Sequence, residues 1–278
     1  MYIDTHAHLN FKAFDSDRDE VIQKSLANDV WIINASSNYK TSQLAVEIAQ
    51  QYPAGVFACV GLHPINCVID LSRADEDRLE ELDIEKYRKL AKEKKVVAIG
   101  EIGLDYWNEP KGKEKSEIFK AKQKDVFLKQ LDLAKELNLP VILHCRKAHK
   151  DLIKILSEFS SIRNFSDRGN CVKLQGVVHC FTGNWEEAQK YMELGFCLGF
   201  NGIIFKFDIE ETIKRMPLEK MLLETDCPYL TPPVLGEQRN EPANVKYIAQ
   251  CLAEIRGESI ETIAETTTQN AKKLFNLN

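Results

Sequence analysis

Six histidines occur in the 278 residues, at positions 6, 8, 63, 144, 149 and 179. His6-Ala7-His8 places two imidazoles at i and i+2, on one face of an extended strand, where together they can chelate one divalent ion. His63, His144 and His179 each stand just past a short apolar run, and so do the carboxylates Glu101 and Asp226. Imidazole with carboxylate suits Zn²⁺ or Mn²⁺ better than Ca²⁺. His6, His8, Glu101, His144, His179 and Asp226 exceed what one tetrahedral ion needs. Two divalent ions sharing a carboxylate use all six. Ions ~3.5–4 Å apart can clamp the attacking and leaving oxygens of a phosphoryl displacement, and they lower the pKa of a bound water to ~7. Asp226 can accept the proton of that water or hold it in line. His149 falls on the next predicted helix and reads as a packing residue.

These groups are far apart in the chain, so a scaffold must gather them. Apolar runs at 2–5, 31–34, 56–60, 96–99, 141–143, 174–178, 196–198 and 221–223 lack period-2 alternation, as strands buried on both faces do. Amphipathic segments separate them at 18–28, 42–51, 76–94, 115–137, 147–159, 185–194 and 208–215, with a last one at 244–255. Eight strand–helix units of about 35 residues predict a (β/α)8 TIM barrel in a single domain, 1–278. An open doubly wound sheet is the competing arrangement. The barrel accounts for the whole chain and brings the C-terminal strand ends, with five of the six histidines, to one mouth.

Composition narrows the function classes. Apolar residues make up 44% and charged residues 28%, which is globular. The net charge of −5 leaves no broad basic surface for duplex DNA, so any nucleic-acid contact must be local or depend on bound cations. No apolar run reaches membrane-spanning length and no secretion signal opens the chain, so no membrane is expected as a partner and the setting is expected to be cytoplasmic. The eight cysteines are expected as reduced, mostly buried thiols. Cys145 and Cys180 adjoin His144 and His179, but neighbouring strand residues face opposite ways, so neither pair makes a dyad. Phosphate-loop, dinucleotide and serine-elbow motifs are absent. The lysine-rich stretch 111–124 and the acidic stretch 71–81 read as solvated helix surface, and 228–242 reads as one long loop.

In order and spacing, DTHAHL, GLHP, GEIGLDY, LHCRKAH, HCFTG, ETDCPYLTP, RNEP and TTTQNAKKLF resemble the TatD-type metal-dependent deoxyribonucleases over essentially the whole chain. That family belongs to the amidohydrolase-like barrels. The resemblance implies that His6 and His8 bind one metal, that Glu101 bridges, and that His144 and His179 bind the second. It implies that Asp226 ligates metal and orients the water, and that His63 lies by the scissile phosphate as a contact or proton donor. Mg²⁺ is the implied metal and DNA the implied substrate, with exonuclease activity known in the family. Many barrels of the wider superfamily bridge their metals with a carboxylated lysine after the fourth strand. Here Glu101 takes that place, while Lys94 and Lys95 precede the strand, which favours the nuclease branch. The alternative substrate for the same site is a small amide, lactone or acyl ester, or an aminoacyl-tRNA.

Arg146 and Arg239 are candidates for phosphate contact, since guanidinium forks match phosphate oxygens. Asn240 and Glu241 share the RNEP motif and can simply fix its loop. Asp4 is a candidate to support the histidines, Asp105 a turn residue, and Trp107 and Tyr229 candidate base-stacking residues. No obligate protein partner is evident.

Overall fold

The computed structural model describes residues 1–67, 80–163 and 173–277. Its strands are β1 (Tyr2–Ala7), β2 (Val30–Asn34), β3 (Val56–Val60), β4 (Val96–Asp105), β5 (Val141–Arg146), β6 (Gly176–Val178), β7 (Cys197–Phe200) and β8 (Met221–Leu223). All neighbours are parallel, in the order β1 to β8. The seam between the two end strands is stitched where Asp226 N donates to His6 O (2.8 Å) and His8 N to Cys227 O (2.9 Å). The Thr5 hydroxyl adds a bond to Leu223 O (3.0 Å). The strands thus form a TIM barrel, as the eight apolar runs predict.

The helices are α1 (Arg18–Ala27), α2 (Tyr39–Gln50), α3 (Ile84–Leu90), α4 (Lys113–Leu137), α5 (His149–Arg163), α6 (Trp185–Glu193), α7 (Glu210–Arg215), α8 (Val245–Arg256) and α9 (Ile260–Phe275). Asn38 starts α2 earlier than its apolar pattern suggests, through a reciprocal cap with Thr41. Lys147, with φ of 57°, breaks the path into α5, which begins at His149. The predicted helix 76–94 is seen only as α3, and its first residues, like most of the acidic stretch, lie outside the described residues. The lysine-rich stretch is the exposed first part of α4, which buries Phe119, Val126, Phe127 and Leu131 on its other face.

The ninth helix is absent from the sequence reading. Three consecutive threonines, poor helix formers, obscure its pattern, yet Ile263, Ala264, Thr267, Thr268, Ala271 and Phe275 are buried at helical spacing. The Thr267 hydroxyl is satisfied by Ile263 O at 2.7 Å. Ala271 and Phe275 pack with at least one apolar side chain from each strand, among them Ile3, Ile33, Cys59, Ile142 and Leu222. This cluster fills the barrel on the side away from the strand C-termini.

β4 and β5 run past their predicted ends, to Asp105 and Arg146. Gly100 and Gly103 look like strand terminators in sequence. In the fold Gly103 sits against the backbone of His144, where any Cβ would overlap the His144 carbonyl oxygen. The glycine marks close strand approach, not a turn. Glu101 and His144 therefore lie within strands.

Candidate metal centre

The barrel gathers all five mouth histidines around one carboxylate, and the two oxygens of Glu101 face different groups. Oε2 lies 3.4 Å from His6 Nε2 and 3.9 Å from His8 Nε2. Oε1 lies 2.7 Å from both His144 Nδ1 and His179 Nε2, and 3.2 Å from His63 Nε2. Asp226 closes the first side, its Oδ1 3.2 Å from His8 Nε2 and 3.8 Å from His6 Nε2. Three groups have ligand atoms close enough to share an ion: His6, His8 and Glu101; His6, His179 and Asp226; His63, Glu101 and His144.

Backbone contacts aim these side chains. A register shift between Asp4 and Ala7 turns the end of β1. Asp4 does not reach an imidazole. It accepts from His6 N (3.2 Å), Thr225 N (2.9 Å) and the Thr225 hydroxyl (2.6 Å), and so fixes β1 against the segment after β8. Burial raises its pKa well above the usual carboxylate value. Glu101 N donates to Ser36 O at 2.9 Å. The Leu62 peptide, one residue before His63, is gripped at both ends by the Gln130 amide of α4 (2.7 and 3.0 Å). Asp226 adopts a left-handed φ of 57°, a conformation Asp tolerates better than most residues.

Tautomers follow from these partners. Ala35 O lies 3.2 Å from His8 Nδ1, so Nδ1 carries the proton and the neutral ring presents a lone pair at Nε2. That lone pair faces Asp226 Oδ1 at 3.2 Å and His6 Nε2 at 3.1 Å. A nitrogen lone pair and a carboxylate oxygen in such proximity call for a shared cation, and a divalent ion fits this donor set. His63 is wired the other way. Its Nδ1 accepts from Ile65 N at 3.1 Å, so Nε2 carries the proton and points at Glu101 Oε1 as a donor. In that tautomer it is no ligand.

Charge follows the carboxylates. Burial works against ionising Glu101, but the imidazoles of His179, His63 and His6 outweigh it and hold the carboxyl well below its usual range. Asp226 is also lowered, its burial outweighed by His8 and His6. For His179, burial is overcome by Glu101 and Glu224, which raise its pKa well above the ordinary value; for His144, Asp105 and Glu101 do the same more mildly. Burial lowers His6 and His63.

Two further carboxylates support the histidines, and only Glu224 went unnoticed in the sequence. Asp105 is the turn residue expected, bonding Trp107 N (2.8 Å), and its other oxygen also lies 3.2 Å from His144 Nε2. Glu224 is fully buried, 3.5 Å from His179 Nδ1, and is held by Cys180 N (2.6 Å) and Asn201 Nδ2 (2.9 Å). Gly199 makes room for it, since a Cβ there would overlap the carboxylate. Its spacing from Asp226, i and i+2, is the signal that could have found it.

The remaining candidates divide. Arg146 lies at the mouth against Trp107. Arg239 is engaged elsewhere, in a two-pronged bridge to Asp17 (2.6 and 3.0 Å). Asn240 pins its loop to Thr225 O (3.1 Å) and Tyr229 O (2.7 Å), and Glu241 pairs with Lys24 (2.6 Å). His149 packs on the outer side, 3.1 Å from the Tyr191 hydroxyl and 3.3 Å from Cys145 Sγ. Burial pushes the Cys145 thiol up to about 12, which leaves it un-nucleophilic. The seven described cysteines are free. Lys95 bonds Pro53 O (3.1 Å), away from the histidines.

A carboxylate with five imidazoles at a barrel mouth is a metallohydrolase arrangement, and the family model for TatD-related DNases matches residues 3–276. The chain belongs to the TatD family. It is a metal-dependent hydrolase. YabD of Bacillus subtilis, described as an uncharacterized metal-dependent hydrolase, is 39% identical, with 100% of both chains covered. A 3'-5' ssDNA/RNA exonuclease, TatD of Escherichia fergusonii, is 33% identical over 99% of this chain and 98% of its own. The solved structure of the TatD homologue YjjV from Escherichia coli superposes with a TM-score of 0.82 at 29% identity, covering 100% of this chain and 98% of that one. No described helix is long and apolar enough to cross a membrane.

Proposed function

We propose that this TatD-family hydrolase cleaves phosphodiester bonds in DNA, as a nuclease working from strand ends, with two divalent ions. The observation that carries the reading is the split of Glu101: one oxygen faces His6 and His8, the other His144 and His179. A carboxylate divided in this way suits a bridge between two ions. His6 and His8 with Asp226 would hold one, His144 and His179 the other. Bound there, such ions supply a nucleophilic oxygen at neutral pH and neutralise charge on the phosphate; Mg²⁺ is the ion the family resemblance implies, with Mn²⁺ and Zn²⁺ suited by the donor set.

The chain's own groups complete the chemistry. Asp226, held ionised by its histidine neighbours, takes the proton of the attacking water on the carboxylate oxygen turned away from the histidines. His63 carries a proton at Nε2 and donates it toward the leaving oxygen or holds the phosphate. Arg146, exposed at the mouth, meets the flanking phosphate. The name of the Escherichia fergusonii relative, a single-stranded DNA/RNA exonuclease, supports this substrate class over an amide or lactone.

The test is cleavage of an end-labelled oligonucleotide by the purified chain, beside a panel of lactones and acyl esters. Stepwise shortening with Mg²⁺ or Mn²⁺ that EDTA abolishes is expected. Cleavage that survives EDTA, or turnover confined to the small esters, would overturn the reading.

A further inference from the structure

Helix α4 buries two glutamines, Gln123 and Gln130, each 1% exposed, on the face that carries Phe119, Val126, Phe127 and Leu131. Their spacing is about two helical turns, so both carboxamides leave the same side of the helix. Gln130 Oε1 accepts from Leu62 N at 2.7 Å while its Nε2 donates to Leu62 O at 3.0 Å. Gln123 Oε1 accepts from Asp105 N at 2.9 Å while its Nε2 donates to Asp105 O at 2.8 Å. A carboxamide sets a donor beside an acceptor without a charge, so it can stand in for the backbone of an adjacent strand.

No strand serves that purpose here. The pairing of β3 with β4 ends at Val60 and Ile99, short of both gripped residues. His63 N donates to Ser37 O and Tyr106 N to Arg146 O, each at 2.9 Å. Successive N–H groups of an extended chain point to opposite sides, so Leu62 and Asp105 turn theirs away from those partners and toward α4. An apolar residue at either helix position would leave buried backbone groups unpaired.

Both grips fall on the chemistry. Leu62 precedes His63, whose Nε2 lies 3.2 Å from Glu101 Oε1. Asp105 is itself the partner of His144, its Oδ2 3.2 Å from His144 Nε2. We propose that Gln123 and Gln130 are positioning residues, through which α4 sets His63 by way of the Leu62 peptide and His144 by way of Asp105. The His63 half rests on the phosphodiesterase reading above. The two effects are separable, because each glutamine holds a different segment.

The test sets Gln130→Met beside Gln123→Met in the full chain. Methionine keeps the length of the side chain and removes both hydrogen bonds. A DNA strand departs as an alkoxide that needs a proton, whereas a nitrophenolate departs without one. Gln130→Met is therefore expected to raise the ratio of kcat on thymidine 5'-nitrophenyl phosphate to kcat on an oligothymidylate by about 10–100-fold. Gln123→Met is expected to weaken Mn²⁺ binding by about 10–100-fold in calorimetry and to leave that ratio unchanged. Both rates come from one preparation, so their ratio does not depend on how much of it is folded. If a methionine variant does not fold, Gln130→Asn or Gln123→Asn, with a carboxamide one methylene too short, reads the same quantities. Nitrogen-15 NMR of labelled histidine in EDTA reads placement without turnover: Gln130→Met is expected to mix the two His63 tautomers, and Gln123→Met to move the His144 signals and not those of His63. Equal losses on the two diesters in the Gln130 variant, or His63 and His144 signals unmoved in their respective variants, would overturn the proposal. A wild-type chain that cleaves neither diester contradicts the phosphodiesterase reading alone, and the NMR and Mn²⁺ readouts still decide the positioning.

Discussion

The interior of the barrel changes character within two to four residues along the same strands. Ile142, Val177 and Leu222 belong to the apolar plug, and two positions further on stand His144, His179 and Glu224. Below, the side chains are aliphatic or thiol, and α9 closes the end with Ala271 and Phe275. Above, buried polar atoms lack hydrogen-bond partners, among them His6 Nδ1, His179 Nδ1 and Glu224 Oε2. Unsatisfied buried polar atoms cost stability, so the mouth gives up cohesion that the apolar plug keeps. One end of the barrel is therefore built for cohesion and the other for binding, and changes at the two ends should have opposite consequences.

The largest expected effect is at the mouth. Glu101→Gln should lower phosphodiester cleavage on the order of 10³-fold or more, because one substitution weakens both ion sites; a steady-state assay at saturating Mn²⁺ checks it. At the other end, Ile33→Ala, in a strand that carries no ligand, should cost about 2–5 kcal/mol in urea unfolding while leaving turnover of the folded enzyme unchanged. An Ile33 variant that keeps its stability but loses activity would break the division.

A smaller effect separates ligands from their supports. Glu224→Gln should weaken metal affinity by about 10–100-fold, through lost orientation of His179, without abolishing binding. Titration calorimetry with Mn²⁺ reads this directly. The same titrations across pH sharpen the electrostatics. Against burial, His144 and His179 have raised pKa values, through Asp105 and Glu101 for the first and Glu101 and Glu224 for the second. The stability they lend is complete below their unfolded value of about 6.5 and is lost as pH rises through their higher folded values. Ions compete with those protons, so Mn²⁺ affinity should climb with pH from 6 to 8, by up to about tenfold per unit for each proton displaced.

The barrel was legible because strands buried on both faces write continuous apolar runs, and β3 and β8 match their runs end to end. The cluster of candidate ligands was legible because each follows such a run, and a barrel brings those ends together. Other features depend on tertiary contact. Gly103 looks like a stop and is a close approach to His144. Thr267 and Thr268 look like strand or loop and are the buried face of α9. Asp4 shares the nominal spacing of His6 and His8, but the register shift in β1 sends it to Thr225. Arg239 shares a motif with Asn240, yet its charge is spent on Asp17, a residue 222 positions away that no local pattern links to it.

Crystals grown with Mn²⁺ and measured at the manganese absorption edge test the central claim most directly. Two anomalous peaks are expected, one beside His6, His8 and Asp226 and one beside His144 and His179, each taking a different oxygen of Glu101. A single peak, or two peaks with Glu101 turned away from either, would contradict the account.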